Sequence, residues 1–420
     1  MKQGLHPCLK SIVPMGLILG FCAISYIIAK KSYTYNISVI TIIYSYLCTM
    51  KQSNLNKPTT GGRKPLMSEL LQDTREFIKL SEQADVEALR QFLFNDPELP
   101  LIAMGHGGSY SSAAFAALLY GTRCALGRAV TPFQANSFSD TTLKNSKLLL
   151  FSSSLKNKDA EFIAKRMALV NPQHSCVITS TDADNPNIQR MKKSCPDGVI
   201  NYPFDFHDGF IAVNSTTAYF SLLYKVFTCE DDFSSKLALS AEPDDNYTYR
   251  CADDTTTPPD LGTITQLTVL YGSYGEPVAR KFESNIIEAG LASCVVSDYR
   301  DECHGRFLAL SNFIKSKKHP QTDCALVLLV TPREEILCKN FVKQLPGHMP
   351  IIIIHTDFDS PLGALDLLYK ANIFTSHFGE FFRGYNPNDP DNLGGFDKRA
   401  FRNNVLFSKE LTQHGPLQLS

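Results

Sequence analysis

The chain has 420 residues, 44 % of them hydrophobic, so it is long enough for two or three domains with a sizeable core. Lys and Arg number 41 and Asp and Glu 42; this balance, without a basic stripe interleaved with aromatics, argues against a nucleic-acid partner and leaves any anion to a local site. Twelve cysteines run from Cys8 to Cys338 with no C-x-x-C pair, which argues against a zinc ribbon or a thioredoxin-type motif and suits a reducing compartment.

Residues 1–66 stand apart. Ile12 to Ala29 carries no charge, with Lys10 before it and Lys30-Lys31 after, at the lower limit for a membrane span. Tyr33 to Met50 is a second uncharged run, richer in Tyr, Thr and Ser. Two spans would leave Lys51, Lys57, Arg63 and Lys64 at a cytoplasmic face. The competing reading is a translated leader upstream of a start near Met67. The expected location is therefore cytoplasmic; the alternative is an inner-membrane anchor with cytoplasmic domains, and a membrane partner is expected only if this segment is genuine.

From Ser68 the text alternates. Glu69 to Phe94 reads as helix, Leu101 to Met104 as a short strand and Ser111 to Gly121 as a helix. Lys147 to Phe151 is a strand, and Asp159 to Val170 carries Ile163, Met167 and Val170 at helical spacing. Cys176 to Thr179 and Val199 to Tyr202 are short apolar runs, and Thr216 to Phe227 is a helix. Glu230 to Thr263 reads as an acidic connector. The alternation restarts with strand Leu267 to Tyr271, then helix Pro277 to Ala289 with Pro in its first turn and Gly290 past its end. Cys294 to Ser297, Cys324 to Val330 and Ile351 to His355 are strands. Strands alternating with helices predict α/β units, each a parallel sheet flanked by helices on both faces in a flavodoxin-like three-layer plan. The expected domains are 67–229 and 264–385, joined by 230–263 and followed by a tail, 386–420.

Two strand ends carry the chemistry. After Leu101–Met104 comes Gly105-His106-Gly107-Gly108, then Ser109, Ser111 and Ser112; after Lys147–Phe151 come Ser152, Ser153, Ser154 and Asp159. Neither a P-loop nor G-x-G-x-x-G is completed. A glycine turn before a helix lets backbone amides approach an anion, and ligands of open parallel sheets sit beyond the carboxyl ends of the strands. Hydroxyls and amides without lysine suit a phosphate monoester. Serine also begins helices well as an N-cap, but three serines at each of two successive strand ends favour a site.

On these residues the chain resembles the sugar isomerase (SIS) family, and in particular its double-domain members such as the isomerase half of glucosamine-6-phosphate synthase. Gly107 to Tyr110 is similar to the family's Gly-Thr-Ser-Tyr turn. Ser152 to Asn157, followed by Asp159, is similar to its Ser-Gln-Ser-Gly-Glu-Thr, and Val213 to Thr216 to its Val-Ala-Ser-Thr. The helix in "YGSYGEPVARKFESNIIEAG" resembles the one ending in the family's catalytic glutamate, and "CHGRFLAL", sixteen residues on, resembles His-Gly-Pro-Leu-Ala-Leu. The resemblance implies that Glu288 moves a proton between adjacent sugar carbons and that His304 opens the ring. It further implies that Gly107, Gly108, Ser109, Ser152, Ser153, Ser154, Asn157, Val213 and Ser215 hold phosphate and sugar hydroxyls. No metal or other cofactor is implied, and the partners are a small sugar phosphate and a second copy in a homodimer, whose site His304 often serves. A carboxylate in the last turn of its helix also meets the negative end of the helix dipole.

The sequence departs from the family in places. Leu155-Lys156-Asn157 stands for Gly-Glu-Thr, Asn285 for a lysine one turn before the glutamate, and only Lys398 offers itself for a C-terminal lysine. The synthase's glutaminase half has no counterpart here, so amidation from glutamine is not expected. The implied function is a phosphosugar isomerase or deglycase working through an enediol; the alternative is a non-catalytic phosphosugar sensor.

Overall fold

The computed structural model describes residues 64–155, 157–181, 184–204, 208–308 and 323–389. The uncharged runs at 12–29 and 33–50, and Lys398, lie outside the described residues. Among the described residues no helix is long and apolar enough to cross a membrane.

The described residues open with α1 (Met67–Gln83) and α2 (Glu87–Phe94), so the single helical run read from the sequence is broken around Ala84–Val86. The first sheet follows. It comprises β1 (Leu101–Met104), β2 (Gly127–Val130), β3 (Lys147–Phe151), β4 (Ser175–Thr179) and β5 (Val199–Asn201), in the order β2-β1-β3-β4-β5. All its pairings are parallel, with Leu101 opposite both Gly127 and Lys147. The crossovers include α3 (Gly108–Arg123), α4 (Lys158–Val170) and α5 (Pro186–Ser194), and α6 (Asn214–Thr228) closes the unit.

The second sheet holds β6 (Thr248–Cys251), β7 (Gln266–Tyr271), β8 (Ser293–Asp298), β9 (Cys324–Val330) and β10 (Pro350–His355). Its order is β6-β10-β9-β7-β8. The four parallel strands repeat the plan of β1 to β4, each unit placing its first strand between its second and third. The fifth place differs: β6, from within the acidic connector, pairs antiparallel with β10, Pro350 opposite Cys251. The connector thus supplies an edge strand. The helices are α7 (Gly275–Glu288), α8 (Glu335–Val342) and α9 (Pro361–His377). Gly290 ends α7 at φ 65°, and the amides of Gly290 and Leu291 donate to the carbonyls of Ile287 and Ile286, which closes the C-terminus as glycine at that position allows.

Buried residues of both units form one core. Phe115 stacks on Phe220 at 4.5 Å within the first unit, and Phe282 lies 5.6 Å from Phe374 within the second. Helices α3 and α6 face α7 and α9, so the first turn of α3 abuts the second unit. Leu101 to Met104 and Cys324 to Val330 are buried throughout, as strands covered on both faces must be.

Candidate functional site

The turn after β1 is built to bring backbone close. A Cβ on Gly105 would lie 2.2 Å from the Ser109 carbonyl oxygen. Gly107 takes φ 50° at the N-cap of α3 and is exposed. The amides of Ser109 and Tyr110 donate to the carbonyls of His106 and Gly107. Of the three hydroxyls beyond the glycines, Ser111 is buried and bonds back to the Gly108 carbonyl at 2.6 Å, and Ser112 is buried; Ser109 stays partly exposed.

The turn after β3 faces the same end of the sheet. The Leu155 amide donates to Ser152 Oγ at 3.1 Å, which leaves the Ser152 proton available to an anion. Ser153 Oγ is 3.0 Å from the Tyr219 hydroxyl. Ser154 is partly exposed. Asn157 caps α4, accepting from the amides of Asp159 and Ala160. Leu155 takes a left-handed φ of 50° and is buried, only 2 % exposed.

His106 and Asp159 join the two turns, with Nε2 3.8 Å from Oδ2. Burial lowers the pKa of His106 and Asp159 opposes that shift; burial raises the pKa of Asp159 and His106 opposes it in turn. His106 Nε2 is buried with no hydrogen-bond partner among the described residues. The sequence reading did not assign either residue a role. The signal was a histidine inside the glycine turn, with an acid in the first turn of the helix after the second serine cluster.

Helix α7 brings the second unit to this turn. A Cβ on Gly107 would lie 3.1 Å from Glu288 Oε1 and 4.0 Å from Ser284 Oγ, and Ser284 donates to that same carboxylate oxygen. A Cβ on Gly108 would lie 2.9 Å from both Lys281 Nζ and Thr216 Oγ1. Glycine at both positions therefore lets α3 approach groups from the other helices. Asn285 does not share this place: it is buried and donates to Asn372 Oδ1 at 2.9 Å.

Val213 and Ser215 lie at the start of α6, and their backbone amides are engaged. The Asp208 carboxylate accepts from Val213 at 3.1 Å, Asn214 at 2.7 Å and Ser215 at 3.0 Å. His304 is exposed on the turn Glu302–Arg306 beyond β8, where Gly305 takes φ 145°. Among the described residues no hydrogen bond or ion pair joins it to Glu288.

The second unit's corresponding turn is filled. A cleft of about 470 Å³ beyond β7, β8 and β9 is lined by Gly272, Ser273, Asp298, Arg333 and Glu334, among others. The Glu334 carboxylate accepts from Ser273 Oγ at 3.0 Å, from the Thr331 amide at 3.2 Å and from the Thr331 hydroxyl. A Cβ on Gly272 would lie 2.3 Å from that side chain. An internal carboxylate thus stands beside this turn, as Glu288 stands beside exposed Gly107.

No protein-family model matches the chain. No curated protein matches it either. Solved structures do. A glucosamine-6-phosphate deaminase from Thermotoga maritima superposes with a TM-score of 0.58 at 14 % identity, covering 78 % of this chain and 98 % of its own. A tagatose-6-phosphate ketose/aldose isomerase from Escherichia coli gives 0.54 at 15 %, covering 81 % and 98 %. The C-terminal domain of glucosamine-fructose-6-phosphate aminotransferase from Francisella tularensis gives 0.52 at 10 %, covering 78 % and 98 %. At these identities the likeness is one of fold: the chain has the double SIS architecture read from its sequence.

Proposed function

We propose that the chain is a sugar-phosphate enzyme that transfers a proton between adjacent carbons, as an isomerase or as a deglycase using the same step. One observation carries this reading: Glu288, from the second unit, reaches the glycine turn of the first, beside the serine clusters. The phosphate is held by the first turn of α3 with the Ser109, Ser152 and Ser154 hydroxyls, where helix amides and dipole favour an anion. Ser153, Asn157, Val213 and Ser215 hold the second turn and the start of α6 in place through the contacts described above. Glu288 takes the proton from carbon 2 of the open-chain aldose as the carbonyl oxygen on carbon 1 gains a proton, giving the enediol; the hydroxyl on carbon 2 then gives up its proton as the new carbonyl forms, and Glu288 returns its proton to carbon 1. His304, exposed on its turn, serves ring opening, and its exposure suits a site completed by a second copy in a homodimer. With this reading goes the expectation that these domains work in the cytoplasm.

The test is proton exchange at carbon 2 in heavy water, followed by NMR, for the full chain with a panel of hexose and hexosamine 6-phosphates. Glu288→Gln should slow exchange by about 10²–10⁴-fold, the usual contribution of one general base. Exchange undiminished in the variant would remove Glu288 from the chemistry. A sensor is the second reading, favoured by Asn285, which stands at the lysine position of the synthase and is committed to Asn372. Thermal stabilisation by one sugar without exchange would select it.

A further inference from the structure

We infer that Lys281 is the buried cation of this site, a positioning residue that stands behind the Gly107–Gly108 turn and adds its charge to the start of α3, so that the turn selects an anionic ligand. The inference rests on the proposed phosphosugar site.

Among the described residues two lysines are fully buried, Lys147 at 0 % and Lys281 at 1 % exposure, and they are treated differently. Lys147 donates to the carbonyls of Phe92, Leu93 and Asn95, closing the end of α2. Lys281 Nζ has no hydrogen-bond partner among the described residues. An ammonium taken out of water without acceptors is costly, and a protein keeps one only where something else compensates it. The charges that favour it are Glu288 first and Asp208 second, against the downward pull of burial on its pKa. Asp208 is committed to three amides of α6. Glu288 is committed to Ser284. Neither hydrogen-bonds to Lys281.

What the amine does approach is the start of α3. Gly108 is the first residue of that helix, and a Cβ there would stand 2.9 Å from Nζ. The early amides of a helix have no partner within it and carry partial positive charge. A second positive group directly behind them raises the potential where the turn opens at Gly107. Burial works against the ammonium form of Lys281, and a phosphate monoester at the turn supplies negative charge that favours it.

The test uses the full chain, with inorganic phosphate and glucose 6-phosphate as probes in calorimetric titrations, and thermal melts without ligand. Lys281→Met keeps the volume and removes the charge. It should melt at a higher temperature than wild type, because an unsatisfied buried cation is gone, while binding both probes about tenfold to a hundredfold more weakly. A lysine with a purely structural role gives the opposite pair: a lower melting temperature and unchanged affinity, which would overturn the inference. Glu288→Gln removes the larger of the two counter-charges on Lys281 and should bind phosphate more tightly. Unchanged or weaker binding there overturns the inference even if Lys281→Met does not fold. Wild-type protein indifferent to phosphate and to every hexose 6-phosphate overturns the functional reading and the ligand role of Lys281 together. Wild type and Lys281→Met binding equally tightly overturns Lys281 alone.

Discussion

Glu288 and Lys281 are seven residues apart on α7, two helical turns, so both face the same neighbour, the start of α3. One reaches the open edge of the turn and the other its buried back. The lysine was not legible: in an amphipathic helix it reads as a solvent-facing charge, and only the packing of α3 on α7 shows otherwise. Asn157 was legible as a polar residue of the second serine turn, and its side chain serves the helix it begins. Leu155 holds a left-handed backbone with a buried apolar side chain. Leu155→Gly would relieve a left-handed cost of about 1–2 kcal/mol. It would also lose buried apolar surface worth about 1.5–3 kcal/mol and add the entropy of glycine. The net expectation is a loss of about 1 kcal/mol or more in denaturant unfolding; a stabilised variant would show that the turn is strained and not anchored.

At the scale of elements, the strands buried on both faces were readable because continuous Val, Ile and Leu runs leave little else to be; β3 and β9 have the bounds read from the sequence. Two strands were not. Gly127–Val130 is a four-residue strand with one apolar-facing end, and Thr248–Cys251 lies in acidic text where an exposed edge needs no apolar run. The first of these depends on glycine. A Cβ on Gly127 would stand 2.1 Å from the Ala117 carbonyl oxygen of α3. Gly127→Ala should therefore push α3 from β2 and cost about 1–3 kcal/mol, and it should weaken phosphosugar binding because α3 carries the turn. Full stability in that variant would mean that α3 is free to shift. The pairing of α3 with α7, which builds the site, has no signature in either helix read separately.

For the whole molecule, two units of one plan face each other, and they are used differently. The first turn meets Glu288 from the other unit at Gly107, and the second meets Glu334 from its own unit at Gly272. The second unit and the connector also carry a pH response. His377, at the end of α9, lies 2.5 Å from the Tyr247 hydroxyl, and burial pushes its pKa down to about 4. A depressed histidine is neutral in the fold while the unfolded chain takes up its proton first, so stability is lost as pH falls from about 6.5 and the loss is complete near 4. The full effect is on the order of 3 kcal/mol. His377→Gln should flatten that part of the pH–stability curve; a curve of unchanged slope would remove His377 from the acid response.

The most direct test of the account is the position of a bound hexose 6-phosphate in a crystal structure of the Glu288→Gln variant, where turnover is blocked. The phosphate should lie at the first turn of α3 between Ser109 and Ser152, with carbons 1 and 2 against residue 288. A phosphate in the cleft beside Arg333 and Glu334, or sugar carbons away from residue 288, would contradict it.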